Sequence, residues 1–242
     1  MSQLQAQVVV EERPPAVPVA EALELLASGR YAGRGGMVIR AAFHDEPLSR
    51  ATRPGNRDAY TSAERRQLLQ AVEQAFLGRM GRDAEAKRAA RGEAFGILMS
   101  LAQNIQEVAP EAREVPGIAL RAFRQADAPP VVRGLALTLL SVILPFEPPE
   151  TAEITELFKD VIRGKHDEYL ASEGFFSLLS AGCYSGLDII EELYREGVRL
   201  PSPEHGWIPY VVEQGVSAER VVGRLGRPWG CPFPTTRWPG GG

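Results

Sequence analysis

Sulfur and imidazole are scarce in this chain: 242 residues hold two cysteines and three histidines. Cys183 and Cys231 lie far apart and make no C-x-x-C pair, so neither a structural zinc site nor a disulfide framework is indicated. Such usage suits a reducing compartment, and a cytoplasmic protein is expected. A long apolar run is missing too. The most apolar stretch, "GLALTLLSVIL" at 134–144, is far too short to span a bilayer. The opening "MSQLQAQVVVEERPPAVPV" has no basic region leading into an apolar one, so no secretory signal is expected. Nor is there an excess of positive charge. The net charge of −4 argues against a general nucleic-acid binder, though a local basic groove remains compatible with it.

The familiar catalytic spacings are absent as well. "GCYSG" at 182–186 is not G-x-S-x-G, because Ser185 comes one place too late. "GRGG" at 33–36 is neither a phosphate-binding loop nor a dinucleotide fingerprint, and no H-E-x-x-H is present. No metal and no cofactor are expected, and no residue is assigned a catalytic role.

Helical periodicity is what the chain does have. Leu68, Leu69, Val72, Ala75 and Phe76 share one face, and so do Ala94, Phe95, Leu98, Met99, Ala102 and Ile105. Val115, Ile118, Ala119, Ala122, Phe123 and Ala126 follow the same rule, as do Ile154, Leu157, Phe158, Val161 and Ile162, and later Ile189, Ile190 and Leu193. Pro110, Pro129–Pro130, Pro145, Pro148–Pro149, Gly182 and Gly186 punctuate these stretches. The spacing predicts an all-α protein. Residues 130–144 are apolar nearly all round, so this helix should be buried by neighbours on several sides. Four regions are expected: an extended arm at 1–18, N-terminal capping helices and a polar loop at 19–61, a helical repeat domain at 62–222, and a Pro/Trp-rich tail at 223–242.

"RGEAFGILMSL" from Arg91, "RGLALTLLSVI" from Arg133 and "SEGFFSLLSAG" from Ser172 resemble one another, with Gly92, Gly134 and Gly174 about 40 residues apart and Leu98, Leu140 and Leu179 in step. Each follows another amphipathic stretch, at 62–78, 111–126 and 150–163, so the repeating unit is a helix pair. "VPGIALRAFRQADAPPVVRGLALTLLSVIL" at 115–144 resembles a HEAT repeat, its second helix opening V-R-x-x-A-x-x-x-L through Val132, Arg133, Ala136 and Leu140. The resemblance covers roughly residues 62–181. It implies a short α-solenoid of stacked antiparallel helix pairs, HEAT- or armadillo-like, flanked by extended N- and C-terminal segments. It also implies that Arg133 and Asp127 pair along the stack, and that the second helices line a concave face.

A second resemblance is local. Gly35 to His44 reads G-x-x-x-I-R-A-x-F-H, similar to the distal helix of plant-type haem peroxidases. There, residues at the positions of Arg40 and His44 handle peroxide, and an aromatic at Phe43 packs over haem. The likeness stops after ten residues. Neither "VIRGKHDEY" around His166 nor "SPEHGWIP" around His205 offers the apolar setting of a proximal iron ligand, so no haem is expected. "HDE" occurs twice, at His44–Glu46 and His166–Glu168. Neighbouring helical residues point about 100° apart, so neither tripeptide chelates as a unit. Asp167 instead suits the cap of a following helix.

Two surfaces are candidates for a partner. On the concave side, Lys87, Arg88 and Arg91 from one pair and Arg133 from the next would meet an acidic segment, with Glu168 and Glu173 further along. In the tail, Trp229, Phe233 and Trp238 sit among prolines that bias the backbone toward an extended form; they either cover an apolar face of their own domain or anchor in another protein. The expected function is a non-enzymatic protein-interaction scaffold or adaptor without membrane association. The alternatives are a HEAT-like enzyme, of the bilin lyase or DNA glycosylase type, and an anion or nucleic-acid binder using a local basic groove.

Overall fold

A computed structural model describes residues 17–28, 39, 40, 42, 43, 57–103, 110–181, 184–198 and 200. Among these residues there are eight α-helices and no strand: α1 Val19–Ser28, α2 Ser62–Phe76, α3 Ala84–Gln103, α4 Val115–Arg124, α5 Pro130–Ile143, α6 Thr151–Ile162, α7 Glu168–Ser180 and α8 Tyr184–Arg195. Short 3-10 turns occupy Arg57–Ala59, Pro110–Glu114 and Leu144–Phe146. The expected all-α class holds. No helix among the described residues is long and apolar enough to cross a membrane.

The chain divides into two compact units, Met1–Leu139 and Leu140–Gly242, and the division falls inside α5. In the first unit, α1, α2 and α3 all pack on one another, and α3 also packs on α4. Helix α2 starts where the sequence changes character. The Thr61 hydroxyl accepts the Glu64 N–H at 3.2 Å, and a Glu64 carboxylate oxygen accepts the Thr61 N–H at 2.7 Å, a reciprocal capping box. The Thr61 N–H and the Thr61 hydroxyl, which also donates to the same carboxylate oxygen at 2.8 Å, hold the Glu64 carboxyl below its usual range, the backbone bond contributing most. Leu68, Leu69, Val72, Ala75 and Phe76 are all buried, as their spacing predicts. Each large member contributes about 1.5–3 kcal/mol of burial, which outweighs the helix-forming tendency of so short a segment. Phe76 stacks on Phe95 of α3 with ring centroids 6.5 Å apart.

The stripe on α3 differs from expectation. Ala90, Ala94, Ile97, Leu98, Leu101 and Ala102 are buried, while Phe95 and Met99 are half-buried. Helix α3 meets α1, α2 and α4, so its apolar arc is wider than a single stripe, and Ile97 and Leu101 widen it. Ile105 lies outside the described residues. The expected helix over 111–126 begins with the 3-10 turn Pro110–Glu114 and is α-helical only for Val115–Arg124, which leaves Ala126 exposed past its end.

In α5 the first turn is open, with Val131 46% exposed, but no residue from Val132 to Leu144 is exposed. This matches the near-continuous apolar sequence there. Of the three spaced glycines, Gly92 is exposed and a Cβ there would meet nothing within 4 Å, whereas Gly134 and Gly174 are buried. The leucines in step with them, Leu98, Leu140 and Leu179, are all buried. Thus the leucines, not the glycines, carry the periodicity.

In the second unit α7 packs on α6, and α8 packs on both, with the turn Leu144–Phe146 also against α8. Asp167 caps α7 as its position predicts, accepting the Leu170 N–H at 2.8 Å.

Candidate functional site

Three cations share the start of α3. Lys87 and Arg88 are exposed and Arg91 is half-buried, one helical turn further on. Spacings of three and four residues place them side by side, where like charges repel by a few tenths of a kcal/mol per pair. Lys87, closing the first turn, also lies near the positive end of the helix dipole, where anions are favoured. Asp83 offsets part of this by capping the helix, accepting the Ala86 N–H at 2.8 Å. Among the described residues none of the three cations pairs with a carboxylate.

Arg91 has a second setting. Its guanidinium lies over Gly78, the residue after α2's last turn, so closely that a Cβ there would sit 2.3 Å from Nη2. Gly78 has φ +74° and donates its N–H to the Ala75 carbonyl at 2.9 Å. The arginine thus rests against the negative end of α2.

Arg133 does the same one helix pair later. Its Nη2 donates to the carbonyls of Gln125 and Ala126, both at 3.2 Å, at the end of α4. This corrects the pairing that the HEAT resemblance implies. Asp127 accepts the Gln125 side-chain amide at 2.7 Å instead, and that bond is the main reason its carboxyl sits below the usual range. The physical reason is that the chain at the C-terminal end of α4 presents unpaired carbonyls, and the guanidinium reaches two of them at once.

Of the peroxidase-like stretch, Phe43 is fully buried and Arg40 lies against α3, where a Cβ at Gly96 would sit 2.3 Å from Arg40 Nη2. His44, His205, Trp229, Phe233 and Trp238 lie outside the described residues. His166 is exposed beside the Asp167 cap. Among the described residues no three of His, Cys, Asp and Glu gather in a way that could hold a metal ion.

The strongest polar cluster was not anticipated from sequence. Arg65 and Glu111 form a buried ion pair at 2.9 Å, with side chains 10% and 8% exposed. Arg65 further donates to the Tyr60 carbonyl at 2.5 Å and the Ser62 hydroxyl at 3.0 Å. Tyr60 in turn donates its hydroxyl to the Val17 carbonyl at 2.8 Å and accepts the Val17 N–H at 3.0 Å. Burial pushes the Tyr60 phenol above its usual range. One guanidinium therefore ties the start of α2 to the turn Pro110–Glu114, while Tyr60 ties down the residues before α1. A signal existed: Arg65 stands three residues before Leu68, in line with the apolar stripe of α2.

In the second unit Lys159 is its counterpart. The Lys159 stem is buried, and its ammonium bonds Glu192 of α8 at 2.6 Å and Glu156 at 3.1 Å. The Glu192 bond is the chief cause of a raised Lys159 pKa. Arg163 bonds Glu196 at 2.6 Å alongside. On α7, Tyr169 and Phe176 are 48% and 46% exposed, with Glu173 between them on the same face. No family model, curated protein or solved structure matches this chain.

Proposed function

We propose that the chain is a non-enzymatic protein-interaction scaffold, a short stack of helix pairs that binds an acidic segment of a partner across the start of α3. The observation that carries this reading is the trio Lys87, Arg88 and Arg91: cations within the first eight residues of α3, spaced to face one another at three and four residues, without a carboxylate partner among the described residues. Arg91 is held in part by the end of α2, but Lys87 and Arg88 have no such setting, and a bound anionic segment relieves their mutual repulsion. Arg133 is engaged with the end of α4 and is left out of this site.

The stacking half of the proposal draws on a pattern present in each unit. A helix pair is followed by a helix that packs on its second member and is bridged by an ion pair to its first: Arg121 of α4 to Glu73 of α2 at 2.9 Å, and Glu192 of α8 to Lys159 of α6 at 2.6 Å. Pairs joined through their first helices are the arrangement of a solenoid. Pull-down with the full chain, beside the Lys87→Glu/Arg88→Glu variant, tests the site. The wild type should retain an acidic-segment partner that the variant loses; equal recovery by both would sink the proposed site. A labelled oligonucleotide serves as control, since phosphate-backbone binding falls steeply with salt.

A further inference from the structure

The exposed face of α7 poses a separate question. Tyr169 and Phe176 are seven residues apart, two turns along one side of the helix, at a separation of about 10 Å. The Phe176 ring packs edge-on against its neighbour, fully buried Phe175, with centroids 5.6 Å apart. Glu173 stands between the two rings on the same face and Asp167 two residues before Tyr169, and their charges give the face a negative sign. An aromatic face rimmed by acids suits an occupant that is aromatic and basic.

The chain itself supplies such an occupant. Residues 219–238, "ERVVGRLGRPWGCPFPTTRW", hold four arginines against a single acid, together with Trp229, Phe233 and Trp238. Four residues of proline-biased extended chain cover about 12 Å, so Trp229 and Phe233 match the spacing of Tyr169 and Phe176. The point of departure is favourable as well. Arg163, just after α6, bonds Glu196, just after α8, and only residues 164–167 separate Arg163 from α7. The chain therefore leaves α8 at the end of the unit where α7 begins with Tyr169 in its first turn.

We infer that the Trp229–Trp238 segment docks in cis on the Tyr169–Phe176 face of α7, with Arg224, Arg227 and Arg237 beside the acids of its rim. This site is distinct from the cationic surface of α3 and does not rest on it.

The composition provides a clean reporter, because all three tryptophans, Trp207, Trp229 and Trp238, lie after residue 200. In the full chain carrying Trp207→Phe, emission should be blue-shifted, and acrylamide quenching several-fold weaker, relative to the same chain in urea. Adding Tyr169→Glu and Phe176→Glu should abolish both differences while far-UV circular dichroism keeps its helical signal. Glu173→Lys, a milder surface change, should move the emission part of the way and make it insensitive to salt. Folded-chain emission equal to that in urea would overturn the inference, as would emission indifferent to all three substitutions. A blue shift lost on dilution would assign the face to a second copy and overturn docking in cis.

Discussion

In the first unit the C-terminus of α2 lies beneath an arginine, whereas in the second the C-terminus of α6 is open. Gly78 and Gly164 hold equivalent places, each with positive φ, +74° and +78°, one step past the last turn. A Cβ at Gly78 would collide with Arg91, but at Gly164 it would meet nothing within 4 Å. The second unit turns instead to ion pairs at this end: Lys165 with Asp160 at 2.7 Å and Arg163 with Glu196. The same contrast holds at depth. The first unit buries a whole ion pair, Arg65–Glu111; the second buries only a lysine stem whose partners, Glu156 and Glu192, are 65% and 51% exposed. Similar helix triplets are thus held by different electrostatics, internal in one unit and at the rim in the other.

Removing one ion of the buried pair tests this most severely. Glu111→Ala leaves the Arg65 cation buried without a counter-ion and should cost about 3–5 kcal/mol in urea unfolding. Replacing both partners, Arg65→Met with Glu111→Leu, should return most of that loss. A single-variant cost under about 1 kcal/mol would mean that water reaches the pair.

The two glycines come next. Gly164→Ala should cost about 1 kcal/mol for the left-handed backbone alone, and Gly78→Ala should cost more because Arg91 must leave its place. In an Arg91→Ala background the two costs should converge, and a double-mutant cycle reads the difference. Equal costs in the native background would show that Arg91 does not contribute at Gly78.

Alkaline titration should separate the units by chemistry. Lys159, raised by its glutamate bond, contributes stability that is intact below its unfolded value of 10.5 and lost as pH climbs through the folded value. Tyr60, raised by burial, behaves with the same sign above 10.0. Melting temperatures between pH 9 and 11.5 should therefore fall less steeply for Lys159→Met or Tyr60→Phe than for wild type. Parallel slopes in all three proteins would remove both groups from the account.

The smallest effect belongs to Arg121 and Glu73, whose side chains are 60% and 18% exposed. Arg121→Ala should cost at most about 1 kcal/mol, and 1 M salt should erase most of it.

Much of the fold was legible in the residues. The spacing placed α2, α5 and α6 within a residue or two of their ends, because capping residues and prolines mark those ends chemically. Asp167 as a cap was equally readable from local pattern. The arc of α3 was not, because a helix with three neighbours does not follow one stripe. Arg65–Glu111 escaped as well, since the two residues are 46 positions apart and look like ordinary surface charges. For the candidate site, sequence grouped Lys87, Arg88 and Arg91, and all three fall within α3. It could not tell that Arg91 and Arg133 each rest on the end of the preceding helix, because that depends on where two helices meet.

The Arg65–Glu111 pair also bears on how long the fold lasts once formed. The chain between the two ions includes most of α2 and the whole of α3, so the pair closes only after those helices meet. Until they shut out water, each charge is better solvated apart, and the bond adds little to the transition state of folding. An interaction made that late slows unfolding far more than it speeds folding. The buried pair therefore acts as a clasp on lifetime: it sets how rarely the first unit opens, more than how quickly it forms.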